Sequence, residues 1–184
     1  MCGIIGIIGN SDVAPRLLES LRRLEYRGYD SAGIAVHTAA GPDRRRAAGK
    51  IRNLEAVIAE QPITGVTGIG HTRWATHGAP TVANAHPHKA GAITLVHNGI
   101  IENYAQIKAE LKSRGHVFES DTDTEVIAHM LDEAVAGGLP LKDAFKSVLD
   151  RLHGAYALAI LVGGDEQIIL GARRGPRPRL RHRR

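Results

Sequence analysis

The 184-residue chain predicts an α+β domain with helices packed outside antiparallel or mixed sheets. Three observations carry that prediction. Short apolar runs bounded by glycine read as buried strands. Other segments repeat apolar residues at intervals of three and four, the spacing of an amphipathic helix. Several strands follow one another with no helix between them, so a doubly wound parallel sheet is disfavoured.

The elements follow in order. Cys2–Gly9 is short, apolar and closed by glycine, and reads as a strand. Ser11-Asp12 can cap a helix whose Val13, Leu17, Leu21 and Leu24 share one face. Glu25–Ser31 is polar and turn-like, Ala32–His37 is a strand, and Gly41-Pro42-Asp43 reads as a turn. Asn53–Glu60 makes a short helix, and Gly65–Thr72 and Ala92–His97 are apolar strands. Tyr104, Ile107 and Leu111 line a helix stopped by Gly115. Val126, Ile127, Met130, Leu131 and Ala134 line the next helix. Leu141, Phe145, Val148, Leu149 and Leu152 line another. Gly154–Val162 and Gln167–Ala172 close the chain as a hairpin around Gly163-Gly164-Asp165.

Composition excludes several classes. A hydrophobic fraction of 43% is ordinary for a soluble globule. One cysteine permits no internal disulfide and no cysteine cluster for zinc, which suits a reducing, cytoplasmic setting. Residues 2–9 lack the basic leader of a signal peptide, and no apolar run reaches the ~18–20 residues of a membrane span. The net charge of +5 points toward nucleic acid at first sight. Residues 173–184, however, hold seven arginines and no acid, and without them the charge is −2. With aromatics at only 4%, platforms for stacking bases are scarce, and a nucleic-acid partner is disfavoured for the body of the chain.

The sole cysteine is the second residue, in Met1-Cys2-Gly3-Ile4-Ile5-Gly6. Trimming Met1 would give one residue both a thiol nucleophile and a free α-amine. Such an amine has a reference pKa of about 7.7–8.0, against about 10.4 for lysine, and can serve as the base. A small buried cysteine on a first strand is the plainer alternative.

Three polar stretches stand against the apolar strands. Gly70-His71-Thr72-Arg73-Trp74-Ala75-Thr76-His77-Gly78 sets an arginine, two hydroxyls and two histidines around the only tryptophan. The planar fork of Arg73 suits a carboxylate; an ordinary strand end with a surface arginine is the alternative. Val96-His97-Asn98-Gly99 is foremost a turn signal. Its side-chain amide and glycine N–H also make two convergent donors, as an oxyanion hole requires. Ser120-Asp121-Thr122-Asp123-Thr124-Glu125 precedes a helix and reads as a cap, and a carboxylate there could hold an ammonium. Taken together they describe a pocket for an α-amino acid. Arg73 would take the carboxylate and Asp123 the ammonium. Cys2 would take the reacting carbonyl carbon, and Asn98 with Gly99 the oxyanion. His86 and His88 flank Pro87 without enough clustered ligands for a metal site.

The longer motifs are Cys2-Gly3-Ile4-Ile5-Gly6, Arg23-Leu24-Glu25-Tyr26-Arg27-Gly28-Tyr29-Asp30-Ser31-Ala32-Gly33, His71–Gly78, Asn84-Ala85-His86-Pro87-His88 and His97-Asn98-Gly99-Ile100-Ile101-Glu102-Asn103. They resemble the glutaminase domain of the class II glutamine amidotransferases, and within them the glucosamine-6-phosphate synthase family. The resemblance runs from residue 1 to about 175. The amidophosphoribosyltransferase family looks different at Leu24–Asp30 and Thr72–Gly78.

The resemblance implies an N-terminal-nucleophile hydrolase fold, a four-layer αββα sandwich of two stacked sheets. It implies that Cys2 attacks the side-chain amide of L-glutamine and that Asn98 and Gly99 stabilise the oxyanion. Arg73, Trp74, Thr76, His77 and Asp123 would bind glutamine, and Arg27 and Tyr29 would shape the pocket. No cofactor or metal is implied. The freed ammonia would pass to a sugar-isomerising domain, absent from this chain, in a homo-oligomeric full-length enzyme. The family's domain continues past residue 184 with further strands. On this resemblance residues 1–175 would form a partial glutaminase domain, incomplete at its C-terminus. Residues 176–184 are an arginine-rich tail, foreign to the family pattern and expected to be disordered. An inactive truncated remnant and a protein recruited to nucleic acid by that tail are the other readings.

Overall fold

The computed structural model describes residues 2–75, 78–164 and 167–175. The expected tail, Thr76, His77 and Asp165 of the last hairpin lie outside the described residues.

Two antiparallel four-stranded sheets form the centre. The first has β1 (Gly3–Ile8), β2 (Ser31–Thr38), β3 (Gly41–Ala48) and β4 (Thr67–Arg73) in the order β1-β4-β2-β3. The second has β5 (His88–Ala90), β6 (Ile93–Gly99), β7 (Tyr156–Val162) and β8 (Ile168–Arg174) in chain order. Helices α1 (Ala14–Arg22) and α2 (Ile51–Glu60) cover the first sheet. Helices α3 (Tyr104–Ser113), α4 (Glu125–Ala136) and α5 (Leu141–Arg151) pack on the second. This is the expected four-layer αββα sandwich.

Strand alternation sorts side chains between layers. Ala32, Ile34 and Val36 of β2 face α1 and α2, where they meet Leu17, Leu21 and Leu54. Leu158, Ile160 and Val162 of β7 face the helices of the second sheet. The intervening residues meet between the sheets, where Ala35, Ile69, Val96, Ala159 and Leu161 form a third apolar cluster with Ile4 and Ile169. Leu17, Leu21, Ile34 and Leu54 are fully buried, and each side chain contributes about 1.5–3 kcal/mol by leaving water.

The N-cap of α1 is Val13, which offers no side-chain cap. Asp12, one residue earlier, accepts the backbone N–H of Ala14 at 3.1 Å and that of Gly65 at 3.2 Å, and so ties the start of α1 to the approach to β4. At the end of α3, Gly115 adopts φ +92° and His116 N–H returns to the carbonyl of Leu111 at 3.1 Å. Only a residue without Cβ takes that turn cheaply.

Two segments depart from the sequence reading. Gly41-Pro42-Asp43 opens β3 instead of forming the turn, which falls at Ala39-Ala40. The three arginines that follow sit on an edge strand, where charge is tolerated and blocks unwanted pairing. Arg44 reaches the Pro87 carbonyl and Glu119, Arg45 the Gln61 carbonyl and Asp43, and Arg46 the carbonyls of Ala83 and Ala85. The short β5 gave no run of apolar residues to read. Among the described residues, no helix is long and apolar enough to cross a membrane.

Candidate functional site

At one end the apolar cluster between the sheets gives way to polar side chains. Alternation along β4 places Ile69, His71 and Arg73 on the inner face. Alternation along β6 places Val96 and Asn98 opposite them. Cys2 continues the inner face of β1 beyond Ile4.

A cavity of about 240 Å³ opens there, lined by Cys2, Arg73, Gly99, Asp123 and the histidines and threonines beneath them. Four residues picked from separate stretches of sequence thus share one wall. The Sγ of Cys2 accepts the backbone N–H of Trp74 at 3.1 Å. The Asn98 amide nitrogen lies 3.4 Å from the Cys2 carbonyl, so Asn98 adjoins the same cysteine.

Gly99 has φ +118° at the end of β6, and a Cβ there would stand 2.1 Å from the Ala155 carbonyl oxygen. Only glycine fits, because both the backbone angle and the close approach exclude a side chain.

Arg73 is 3% exposed. Its guanidinium donates to the carbonyls of Gly78 at 3.0 Å and Ala79 at 3.3 Å and lies 3.5 Å from Asp30. Asp123 accepts the Ile101 N–H at 2.8 Å. That bond fixes the carboxylate against the chain two residues beyond Gly99. Cation and carboxylate therefore both line a largely buried cavity, where charge acts through less screening than in water.

Trp74 offers its backbone to Cys2, while the residue is 55% exposed and its ring packs over Gly28. A Cβ on Gly28 would lie 2.8 Å from the ring. Arg27 and Tyr29 sit on the turn beside it, away from the cavity. Tyr29 lines a second hollow with Glu25, Tyr26, Gly28 and Lys50. Its hydroxyl pairs with Glu25 and accepts the Ile51 N–H at 2.8 Å. Burial and the Glu25 carboxylate push that hydroxyl up to about 12.

The cavity floor is a histidine cluster to which the sequence reading gave no role. The rings of His71 and His86 stand 4.2 Å apart, and those of His86 and His88 4.7 Å apart. The Thr124 hydroxyl bridges His86 Nε2 and His97 Nδ1, both at 2.9 Å, and Thr122 meets His88 Nε2 at 3.2 Å. His71 Nε2 meets Asn98 Oδ1 at 2.8 Å. Burial drives His71 down to about 3 and holds His86 and His88 well below the ordinary histidine value. These three rings are neutral near neutrality, so the part of the cluster they form is polar but uncharged.

Glu125 accepts the N–H groups of Glu119 and Ser120, both at 2.8 Å, and the Ser120 hydroxyl at 2.6 Å. Against the opposing effect of burial, these bonds and His129 hold it down at about 2. It braces the loop that carries Asp123. Among the described residues, no three histidine, cysteine or acidic side chains are grouped to hold a metal ion.

The cavity-lining residues that sequence reasoning passed over are His86, His97, Ile100, Thr122 and Thr124; Asp30 and His71 do not line it but meet Arg73 and Asn98. Alternation offered one usable signal: His71 is two residues from Arg73 on the same strand and so shares its face.

Residues 71–178 match the family model described as a glutamine amidotransferase domain. The chain is 67% identical over 175 residues to a Caulobacter vibrioides protein named glutamine–fructose-6-phosphate aminotransferase [isomerizing]. It is 58% identical to the protein of that name from Zymomonas mobilis and 56% to that from Gluconobacter oxydans. Each alignment covers 95% of this chain and 29% of the relative, so the chain spans under a third of the length of these relatives. Among solved structures, a glutamine phosphoribosylpyrophosphate amidotransferase from B. subtilis is 30% identical with a TM-score of 0.71. A structure described as the allosteric regulatory enzyme of purine biosynthesis is 31% identical with a TM-score of 0.74. Each is matched over 88% of this chain and 35% of the other.

Proposed function

The chain belongs to the glutamine amidotransferase domain family, and on that premise we propose that it hydrolyses the side-chain amide of L-glutamine to glutamate and ammonia. The observation that carries this reading is the single cavity in which Cys2, Arg73, Gly99 and Asp123 meet. It offers a nucleophile, a cation, a backbone donor and a carboxylate at one end of the inter-sheet space.

Glutamine binds with its α-carboxylate on Arg73 and its α-ammonium on Asp123, and Trp74, Thr76 and His77 complete the binding segment. Removal of Met1 frees the α-amine of Cys2. That amine takes the thiol proton as sulfur attacks the amide carbon. The carbonyl π pair moves onto oxygen, and the negative charge meets the Asn98 amide and the Gly99 N–H. Collapse of the intermediate breaks the C–N bond, and the ammonium returns its proton to the departing ammonia. Water then attacks the thioester, its proton passing through the same amine, and releases glutamate and the free thiol.

Identity to proteins named glutamine–fructose-6-phosphate aminotransferase [isomerizing] supports a narrower role. In it, the ammonia supplies nitrogen to a sugar-isomerising partner acting on fructose 6-phosphate. Identity of 54–67% to proteins of that name against 30–31% to the two solved amidotransferase structures favours it over an amidophosphoribosyltransferase role.

The test is glutamate release from glutamine by the purified chain. Activity is expected from the chain lacking Met1 and is expected to vanish in Cys2→Ala and when Met1 is retained. A folded chain without glutaminase activity, or a Cys2→Ala variant as active as its parent, overturns the reading.

A further inference from the structure

We propose that His71 is a positioning residue, which, as the neutral Nε2–H tautomer, holds the Asn98 amide with its nitrogen toward Cys2. The proposal rests on the glutamine hydrolysis argued above, in which Asn98 donates to the oxyanion.

A primary amide has two faces, and rotating it by half a turn exchanges donor for acceptor. With nitrogen toward Cys2, Asn98 stabilises negative charge beside the sulfur. With oxygen toward Cys2, the same side chain opposes it. Something must choose between the two. Asn98 Nδ2 lies 3.4 Å from the Cys2 carbonyl, a long contact that restrains the amide weakly. The short contact is on the other side, where Oδ1 lies 2.8 Å from His71 Nε2. An amide oxygen only accepts, so that nitrogen carries the proton.

Tautomer and amide orientation are therefore coupled. A proton on Nδ1 would leave a lone pair on Nε2, which would recruit Nδ2 and turn the oxygen toward the nucleophile. Two features of the site select the productive pairing. His71 is fully buried, and its Nδ1 makes no hydrogen bond. A proton there would be buried without an acceptor, whereas Nε2 has one. The ring also resists a second proton, because burial outweighs the hydrogen bonds to Asn98 and to the His97 backbone that would favour the imidazolium, and the His97 and Arg73 charges add to its effect. His71 and Asn98 come from β4 of one sheet and β6 of the other, so the contact also sets the amide relative to both sheets.

The test combines spectroscopy with kinetics on the whole chain. Two-bond ¹H–¹⁵N correlation on ¹⁵N-histidine-labelled protein is expected to show His71 as the Nε2–H tautomer from pH 8 to pH 5.5. His71→Leu removes the donor and is expected to lower kcat about 10–10²-fold, part of the ~10²–10³ that losing an oxyanion donor costs. Glutamine KM should stay within about threefold, since the donor acts on charge absent from bound glutamine. His71→Gln keeps an N–H near the same place and should recover part of kcat. In an Asn98→Ala background, His71→Leu should add little further loss.

An Nδ1–H tautomer, an imidazolium or a fully active, folded His71→Leu overturns the proposal, as does an undiminished His71→Leu loss once Asn98 is gone. Should His71→Leu fail to fold, the spectrum and His71→Gln decide. Should the parent chain release no glutamate, glutamine hydrolysis fails, and the spectrum alone still upholds or overturns the His71–Asn98 coupling.

Discussion

The Asp30 carboxylate lies 3.5 Å from the Arg73 guanidinium and also accepts the backbone N–H of Ala75. One acid therefore orients the cation in the cavity and anchors the segment whose Trp74 N–H meets Cys2. Asp30 just precedes β2, and Arg73 ends β4, its neighbour in the sheet.

Asp30→Asn should lower stability by on the order of 1–3 kcal/mol, because it leaves a buried cation partly uncompensated. A bound carboxylate would restore the balance. Glutamine is then expected to raise the Tm of Asp30→Asn more than that of the parent. Equal ligand-induced shifts in calorimetry would show that Arg73 does not meet the substrate carboxylate. Arg73→Lys should raise KM even though it keeps the charge, since an ammonium cannot reproduce the fork.

Asn98→Ala should act on the transition state. Loss of one oxyanion donor costs ~10²–10³ in kcat, and glutamine affinity should stay within a few-fold. Steady-state kinetics separates the two, and a variant that lost affinity alone would contradict the assigned role.

Acid should destabilise the fold early. His71, His86 and His88 are held below the ordinary histidine value of 6.5, chiefly by burial, with His71 at about 3. The unfolded rings take up protons that the folded rings refuse. Their contribution is fully present above about pH 6.5 and is lost as pH falls toward the folded values. Tm should therefore fall steeply between pH 7 and pH 5 at constant ionic strength. A flat profile there would show that the rings accept protons in place.

Glu125→Gln removes the charge that draws in the loop at 119–120. Hydrogen bonds to charged groups are worth about 2 kcal/mol, so Tm should drop. KM should rise with it, because Asp123 rides on the same loop. Glu125 itself is held down at about 2. Its contribution is lost only as pH falls from about 4.5 toward 2, below the histidine window.

The sheets and helices were legible wherever a periodicity exposed them. The Val13, Leu17, Leu21 spacing marks α1, and the apolar runs mark β1, β4, β6 and β7. What stayed illegible were elements held by contacts distant in sequence. β3 reads as polar because its arginines are satisfied by carbonyls at 61 and 83–87. β5 is only three residues long. Within the site, Cys2, Arg73, Gly99 and Asp123 could be picked out by residue chemistry. Alternation could place His71 beside Arg73, but the roles of Asp30 and the histidines could not be read, because their significance lies in which atom of a neighbour each one faces.

The alternation that brings His71, Arg73 and Asn98 to the inner face also limits how this chain can vary in length. Adding a single residue within β4 or β6 inverts every side chain beyond it. In β6, such an insertion before His97 would turn the Asn98 amide toward the helices and send His97 between the sheets. Insertions should instead be tolerated where no inner face is at stake, as at the Ala39-Ala40 turn. A library of one-residue insertions and deletions along the gene should thus show a sharp boundary at the ends of these strands. Relatives able to cross it would have to add two residues at once.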